Sequence, residues 1–175
     1  MSAPEISVVV PVSRYAAELE GILDLVETAL GPTGRRYEVV VVIDGYLPRA
    51  LEDAQRLAAG RPGLRILTFA RMFGEAAALR AGLAATQAPI LLTHPAYFQV
   101  EGPVLPRLLE ALEEEGVDLA FASRLSGKDM LFNRFQRWAF NFVVRRSVWV
   151  RYRDVACGVR AMRREALEDI SLHAS

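Results

Sequence analysis

The residues best suited to chemistry follow apolar runs, where the strands of a sheet would end. Asp44 and Gly45 come directly after the apolar run Tyr37–Ile43, and Arg71 follows a third such run. In sheets that alternate with helices, ligands bind just outside the carboxyl ends of the strands, so Asp44 could accept hydrogen bonds from a base amide or a ribose hydroxyl. Gly45 would permit a tight turn and close approach. The alternative is an Asp-Gly turn in which the carboxylate forms a local Asx cap, as is common at strand ends.

The fourth apolar run ends in a segment without a carboxylate, His94-Pro95-Ala96-Tyr97, and the next acid is Glu101. A metal–phosphate site at a strand tip would need hard oxygen ligands, usually Asp or Glu. His94 alone would be a poor replacement, although imidazole can bind softer divalent ions. We interpret His94 as a polar loop histidine that could donate to a phosphate, and we predict no metal at this tip.

Strands and helices must alternate to place these tips together. Continuous apolar runs predict strands buried on both faces, and apolar residues at helical spacing predict helices. Strands are predicted at Ile6–Val12, Tyr37–Ile43, Leu64–Phe69, Pro89–Thr93, Val117–Ala122 and Cys157–Met162. Helices are predicted at Glu18–Leu30, Leu51–Ala59, Glu75–Thr86, Val104–Glu115, about 130–150 and 163–170. This alternation implies right-handed βαβ units and an α/β fold with a mainly parallel sheet flanked by helices.

Composition favours a single globular domain. The chain has 175 residues, of which 52% are hydrophobic, and this is enough to bury a core. We expect a hinge at 123–129 and possible truncation after Ser175. A single cysteine excludes an intrachain disulfide and favours a reducing compartment. No run reaches the ~18 apolar residues of a membrane span, and the start lacks a signal peptide, so a cytoplasmic location is expected.

The formal net charge is zero, but basic residues are concentrated in 124–164, while 1–123 is net acidic. Within the predicted long helix, Arg134 and Arg137 begin a basic stripe, and Trp138 and Trp149 are typical of membrane interfaces. This pattern suits peripheral binding to the anionic inner face of a membrane. A helix docked on the sheet with its arginines in solvent is the alternative. Nucleic acid fits less well, because no known binding module is present.

Four segments resemble, in the same order, motifs of family-2 glycosyltransferases, which have the GT-A fold. They are Val8–Val12, Glu38–Asp44 with Gly45, Phe73–Leu79 with Gly82-Leu83, and Asp154–Arg160 with Arg163–Glu165. The last element is typical of the branch that glycosylates polyprenyl or dolichyl phosphate. The resemblance implies transfer of a sugar from a nucleotide-sugar to a polyprenyl phosphate. It also implies a nucleotide-binding half at 1–123 and an acceptor-side half at 124–175.

The departures from the family pattern surround one predicted pocket. The acid pair at the second strand has Ile43 in its first position, Tyr46 replaces the usual Ser, and Glu75 replaces the usual Lys. The D-x-D motif, which holds the catalytic metal in the family, falls on His94–Ala96 or on Pro95–Tyr97. We therefore predict no cofactor and either weak or metal-independent transfer. The alternative is a pseudoenzyme that binds a nucleotide-sugar or a partner without transfer.

The resemblance also suggests roles for individual residues. The predicted nucleotide contacts are Pro11, Val12, Asp44, Gly45, Arg71 and Gly74. Arg71 and Arg160 could neutralise a diphosphate through bidentate contacts, and Arg134 and Arg137 would also face the phosphate acceptor. Asp154 would position groups rather than take a proton, because a phosphate acceptor is already anionic. A loop cap is its alternative role.

Overall fold

The computed structural model describes residues 3–13, 18–101, 103–114, 116–123 and 157–168. The predicted hinge, apart from Ser123, and the predicted basic helix at about 130–150 lie outside these residues. The same holds for Arg134, Arg137 and Asp154.

Strands and helices alternate as the apolar pattern predicts. The strands are β1 Ile6–Val12, β2 Tyr37–Ile43, β3 Leu64–Thr68, β4 Ile90–Thr93, β5 Leu119–Phe121 and β6 Arg160–Arg163. The helices are α1 Leu19–Leu30, α2 Pro48–Ala58, α3 Glu75–Ala84, α4 Val104–Glu113 and α5 Glu165–Glu168, with a 3₁₀ turn at Gly31–Thr33. The helix α2 begins three residues before the predicted Leu51, because Pro48 suits the first turn of a helix.

The six strands form one mainly parallel sheet in the order β3-β2-β1-β4-β6-β5. β1 pairs in parallel with β2 and β4, and β2 with β3, whereas β6 is antiparallel to both β4 and β5. The carboxyl ends of β1 to β4 therefore meet at one edge, formed by residues 13, 44–47, 69–74 and 94–99, which we call the carboxyl edge. β6 starts there, because Arg160 pairs with Thr93. The predicted α/β class is confirmed.

The core lies on both faces of the sheet, and every residue of β1 is buried. Val8 and Val10 face one cluster with apolar residues of α1, α2 and α4, whereas Val9 faces a second cluster that includes Ala78 and Leu83 of α3. On α3, Gly82 lies so close to β1 that an added Cβ would be 2.4 Å from Cγ1 of Val9. Close contact between α3 and the sheet therefore depends on glycine at this position. No helix among the described residues has the length and apolarity to cross a bilayer.

Candidate functional site

Asp44 anchors the loop that leads from β3 into α3. The side chain is fully buried, with 0% exposure. Its Oδ1 accepts the backbone N–H of Phe73 at 2.7 Å, and its Oδ2 accepts that of Gly74 at 2.8 Å. These partners lie 29 and 30 residues later in the sequence, so the two hydrogen bonds anchor another loop and are not the local Asx cap that the sequence left open as the alternative. Contact between Asp44 and a nucleotide stays a prediction.

The loops after β2 and β3 meet backbone to backbone at Gly45. This residue has φ +97°, and an added Cβ would lie 3.0 Å from the backbone N of Met72. The tight turn and the close approach predicted for Gly45 are confirmed. Gly74 also has a positive φ, of +93°. The conformation of this part of the carboxyl edge is therefore set by Asp44 and two glycines.

A cation and exposed rings lie on these two loops. The Arg71 guanidinium carbon is 4.9 Å from the Phe73 ring centroid, and Phe69 meets the same ring edge-on at 5.5 Å. Phe73 is 54% exposed and Tyr46 is 87% exposed. The predicted contacts Pro11 and Val12 are buried within β1, and the Val12 carbonyl accepts the Asp44 N–H. Among the predicted nucleotide contacts, Arg71 therefore offers an exposed charged group.

His94 lies in the loop directly after β4, as the sequence indicated, and it is buried, with 1% exposure. Its Nδ1 lies 2.7 Å from the Pro95 carbonyl oxygen, which can only accept, so Nδ1 carries the proton. Its Nε2 is buried and has no hydrogen-bond partner among the described residues. Burial lowers the pKa of His94, although the Pro95 hydrogen bond acts in the opposite direction. The ring is consequently a neutral part of the packing, and donation from His94 to a phosphate stays a prediction.

Sequence reasoning missed Gln99, which connects the end of β4 to the start of β6. Its Oε1 accepts the backbone N–H of Gly158 at 2.7 Å, and its Nε2 donates to the Tyr97 hydroxyl at 2.9 Å. Thr93 adds a second link, because its Oγ1 donates to the Gly158 carbonyl at 2.7 Å. A lone loop glutamine is typical of a solvated surface, so the sequence carried little signal for this role.

Arg160 lies at the beginning of β6, next to this connection. Its Nε donates to the Cys157 carbonyl at 3.0 Å, and its guanidinium carbon is 5.4 Å from the Phe121 ring centroid. Cys157 is fully buried. The two arginines predicted to neutralise a diphosphate, Arg71 and Arg160, thus both lie over aromatic rings at the carboxyl edge.

Comparison with known proteins identifies the family. Residues 7–171 match the model of Glycosyl transferase family 2. The chain belongs to glycosyltransferase family 2. It is 28% identical over 171 residues to a dodecaprenyl-phosphate galacturonate synthase of Rhizobium johnstonii, covering 96% of this chain and 50% of the relative. It is 33% identical over 165 residues to an undecaprenyl-phosphate 4-deoxy-4-formamido-L-arabinose transferase of Pseudomonas aeruginosa, covering 93% and 48%.

Solved structures show the same fold. Glucosyl-3-phosphoglycerate synthase of Mycobacterium tuberculosis, with Mn²⁺ and UDP-glucose, matches at a TM-score of 0.71 and 22% identity, over 95% of this chain and 58% of that one. A mannosyltransferase of Pyrobaculum calidifontis, with GDP-mannose and Mn²⁺, matches at 0.67 and 20%, over 95% and 46%. The predicted GT-A fold of this family 2 chain is confirmed. The chain spans about half the length of the curated relatives it matches.

The metal present in these GT-A neighbours does not fit the described residues of this family 2 chain. Mg²⁺ and similar ions prefer several free oxygen ligands. At the β4 tip, Pro95 and Ala96 carry no side-chain ligand, and the His94 ring is buried. At the β2 tip, both carboxylate oxygens of Asp44 already accept backbone N–H groups. The described part of the chain contains no group of three or more His, Cys, Asp or Glu that could hold a metal. Asp154 lies outside it, and metal-free binding stays a prediction.

A cavity of about 260 Å³ lies at the opposite edge of the sheet, and no predicted site residue lines it. Glu27, Tyr37 and Arg61 are among its lining residues. The Arg61 guanidinium is already paired with Glu27 at 2.7 Å and Asp24 at 2.5 Å, so it does not present an unpaired positive charge to an anion. Burial, with a contribution from Glu27, raises the pKa of Tyr37, which keeps its phenol neutral. We therefore place the candidate site of this family 2 chain at the carboxyl edge.

Proposed function

We propose that this chain is the nucleotide-sugar-binding domain of a transferase that moves a sugar from a nucleoside diphosphate to a polyprenyl phosphate. The observation that carries the proposal is the family match over residues 7–171, which includes both the strand tips and the element from Asp154 to Glu165. Curated relatives over this span are named for polyprenyl-phosphate acceptors. Structural neighbours hold UDP-glucose or GDP-mannose.

In the proposed reaction, an oxygen of the acceptor phosphate attacks the anomeric carbon of the sugar. The bond from that carbon to the diphosphate oxygen breaks, and its electron pair leaves with the nucleoside diphosphate. No base is needed, because the acceptor phosphate is already anionic at neutral pH. The protein must instead stabilise the charge that develops on the leaving diphosphate.

Arg71 is the described residue best placed for this task. It is exposed at the carboxyl edge, and the Phe73 ring supports its guanidinium from one side. A guanidinium can contact two phosphate oxygens at once, and its charge does not depend on pH in the physiological range. We propose that Arg71, with Arg160 from β6, neutralises the diphosphate without a metal at the β4 tip. Asp154 would position the acceptor.

A transfer assay tests the function. The chain is incubated with undecaprenyl phosphate and a panel of UDP- and GDP-sugars, in EDTA or in Mn²⁺, and acceptor-dependent release of nucleoside diphosphate is measured. We expect release in EDTA and a loss of about tenfold or more for Arg71→Ala. Arg35→Ala is the matched control, because Arg35 pairs with Glu113 away from the carboxyl edge. No release with any donor in either condition would contradict transfer.

A second candidate is a non-catalytic module that binds a nucleotide-sugar or a partner. The observation that favours this candidate is the composition of the β4 tip, where the acids of the family motif are absent and His94 is buried. Saturable nucleotide binding without turnover, in the presence of a polyprenyl phosphate, would favour this candidate over transfer.

We also propose that the basic segment 124–164 holds the domain at an anionic membrane surface on the cytoplasmic side. The support is its charge and the lipid acceptors named for the relatives. Co-sedimentation with phosphatidylglycerol vesicles should fall when Arg134→Glu and Arg137→Glu are combined, whereas Arg35→Glu should have little effect. Equal pelleting of the wild type on anionic and neutral vesicles would contradict the proposal.

A further inference from the structure

Side chains from the end of β4 and from the loop after it form hydrogen bonds with both the N–H and the carbonyl of Gly158. The Thr93 hydroxyl donates to the Gly158 carbonyl, and the Gly158 N–H donates to Gln99 Oε1, each at 2.7 Å. The Cys157 sulfur also lies 3.5 Å from the same Gln99 oxygen. These side chains thus satisfy both backbone polar groups of a residue that lies well over fifty positions later in the sequence.

Both ends of the Gln99 amide are used, and this fixes its orientation. A backbone N–H can only donate, so the amide oxygen must face Gly158 and the amide nitrogen must face the Tyr97 hydroxyl, 2.9 Å away. Gln99 is 7% exposed and Thr93 is equally well shielded. Water cannot readily replace these hydrogen bonds, and a lost partner would leave a buried polar group unsatisfied.

The packing around Gly158 shows the same close fit. An added Cβ would lie 3.2 Å from Cδ of Pro95 and 3.4 Å from Gln99 Oε1. Arg160 then donates its Nε to the Cys157 carbonyl. The segment 157–160 is therefore held by its backbone against the tip that, in the resembled family, would carry the metal motif.

We propose that Gln99 is a positioning residue that joins the donor-side tip of β4 to segment 157–160. Asp154 precedes this segment by three residues in the sequence, within the element that resembles the polyprenyl-phosphate branch. Gln99 therefore sets where the acceptor-side element meets the carboxyl edge. Its role in transfer rests on the proposed function, whereas the link itself does not.

Amide hydrogen exchange on the ligand-free chain tests the link. Gln99→Met keeps a side chain of similar length but removes the acceptor for the Gly158 N–H. We expect exchange of the Gly158 amide to become about tenfold faster, because a shielded hydrogen bond is lost, while amides of β1 and β2 keep their rates. Gln87→Met is the matched control, since Gln87 is an exposed loop glutamine that precedes β4.

Gln99→Glu separates loss of the link from loss of the fold. A carboxylate keeps an oxygen for the Gly158 N–H, and the Tyr97 hydroxyl can donate to the other oxygen. Slow Gly158 exchange should therefore be retained in Gln99→Glu. Unchanged Gly158 exchange in Gln99→Met, or equal acceleration throughout the sheet, would overturn the proposal.

Steady-state kinetics tests the positioning role. We expect Gln99→Met to raise KM for undecaprenyl phosphate or lower kcat several-fold, with the Kd for the nucleotide unchanged. Wild-type kinetics in a variant with fast Gly158 exchange would overturn the positioning role. If the wild type transfers no sugar, the proposed function fails and the positioning role fails with it, while exchange alone decides whether the link exists.

Discussion

The two edges of the sheet use charge in opposite ways. At the edge where β1 to β3 begin, arginines are paired with acids within the fold: Arg36 with Glu5, Arg61 with Asp24 and Glu27, and Arg65 with Glu38. At the carboxyl edge, Arg71 and Arg160 lie over aromatic rings. Buried polar side chains there bind backbone groups rather than arginines: Asp44 and Gln99 accept N–H groups, and Thr93 donates to a carbonyl. Charge at the first edge supports the fold, whereas at the carboxyl edge the Arg71 side chain is exposed to solvent.

The largest effect should come from removing the buried anchor of the carboxyl edge. Asp44→Ala leaves the N–H groups of Phe73 and Gly74 without their acceptors, and we expect a loss of about 3 kcal/mol in the free energy of unfolding. Urea denaturation measures it. Asp53→Ala is the control, because Asp53 makes a longer, solvent-exposed pair with Arg56 on α2 and should change stability by about 0.5 kcal/mol or less. Equal effects would remove the distinction between buried anchors and surface charge.

A pair of arginine substitutions should separate the two edges most clearly. Arg71→Ala should weaken UDP or GDP binding about tenfold and leave stability nearly unchanged, because its side chain is exposed. Arg61→Ala should do the opposite and lower stability by about 1 kcal/mol, because it removes two ion pairs. Calorimetric titration and urea denaturation of both variants provide the comparison. A stability loss in Arg71→Ala equal to that in Arg61→Ala would contradict it.

A smaller effect concerns the pH dependence of stability. Burial lowers the pKa of His94 below its ordinary value of 6.5, so the unfolded chain binds the proton more readily than the folded chain. The contribution of His94 is present above pH 6.5 and is lost as the pH falls below that value. His94→Asn can still donate to the Pro95 carbonyl but cannot titrate, so its stability should fall less between pH 7.5 and 5.5. Identical slopes for variant and wild type, from urea midpoints, would contradict this account.

The fold could be predicted well from the sequence because its signals are local. Continuous apolar runs such as Ile6–Val12 have few alternatives to a buried strand, and the stripe of α1 from Leu19 to Leu30 is buried as its spacing predicts. The antiparallel direction of β6 could not be predicted, because strand direction is set by contacts with β4 that are distant in sequence.

The site was predicted in part, and the reason is also physical. Asp44 and Gly45 were correctly placed at a strand tip, but the partners of the Asp44 carboxylate come from a loop almost thirty residues later. His94 was correctly placed in the loop after β4, but its burial next to Pro95 and Ala96 depends on packing that the residue type does not indicate. Gln99 carried no sequence signal, since its importance comes from Gly158, which only the fold brings next to it.

The central claim is that the carboxyl edge binds a nucleoside diphosphate without a metal at the β4 tip. Calorimetric titration of the chain with UDP and GDP, once in EDTA and once in Mn²⁺, tests it most directly. We predict saturable binding of one of the two with the same Kd in both conditions, weakened about tenfold by Arg71→Ala. Binding that requires Mn²⁺, or no binding of either nucleotide by the folded chain, would contradict the account.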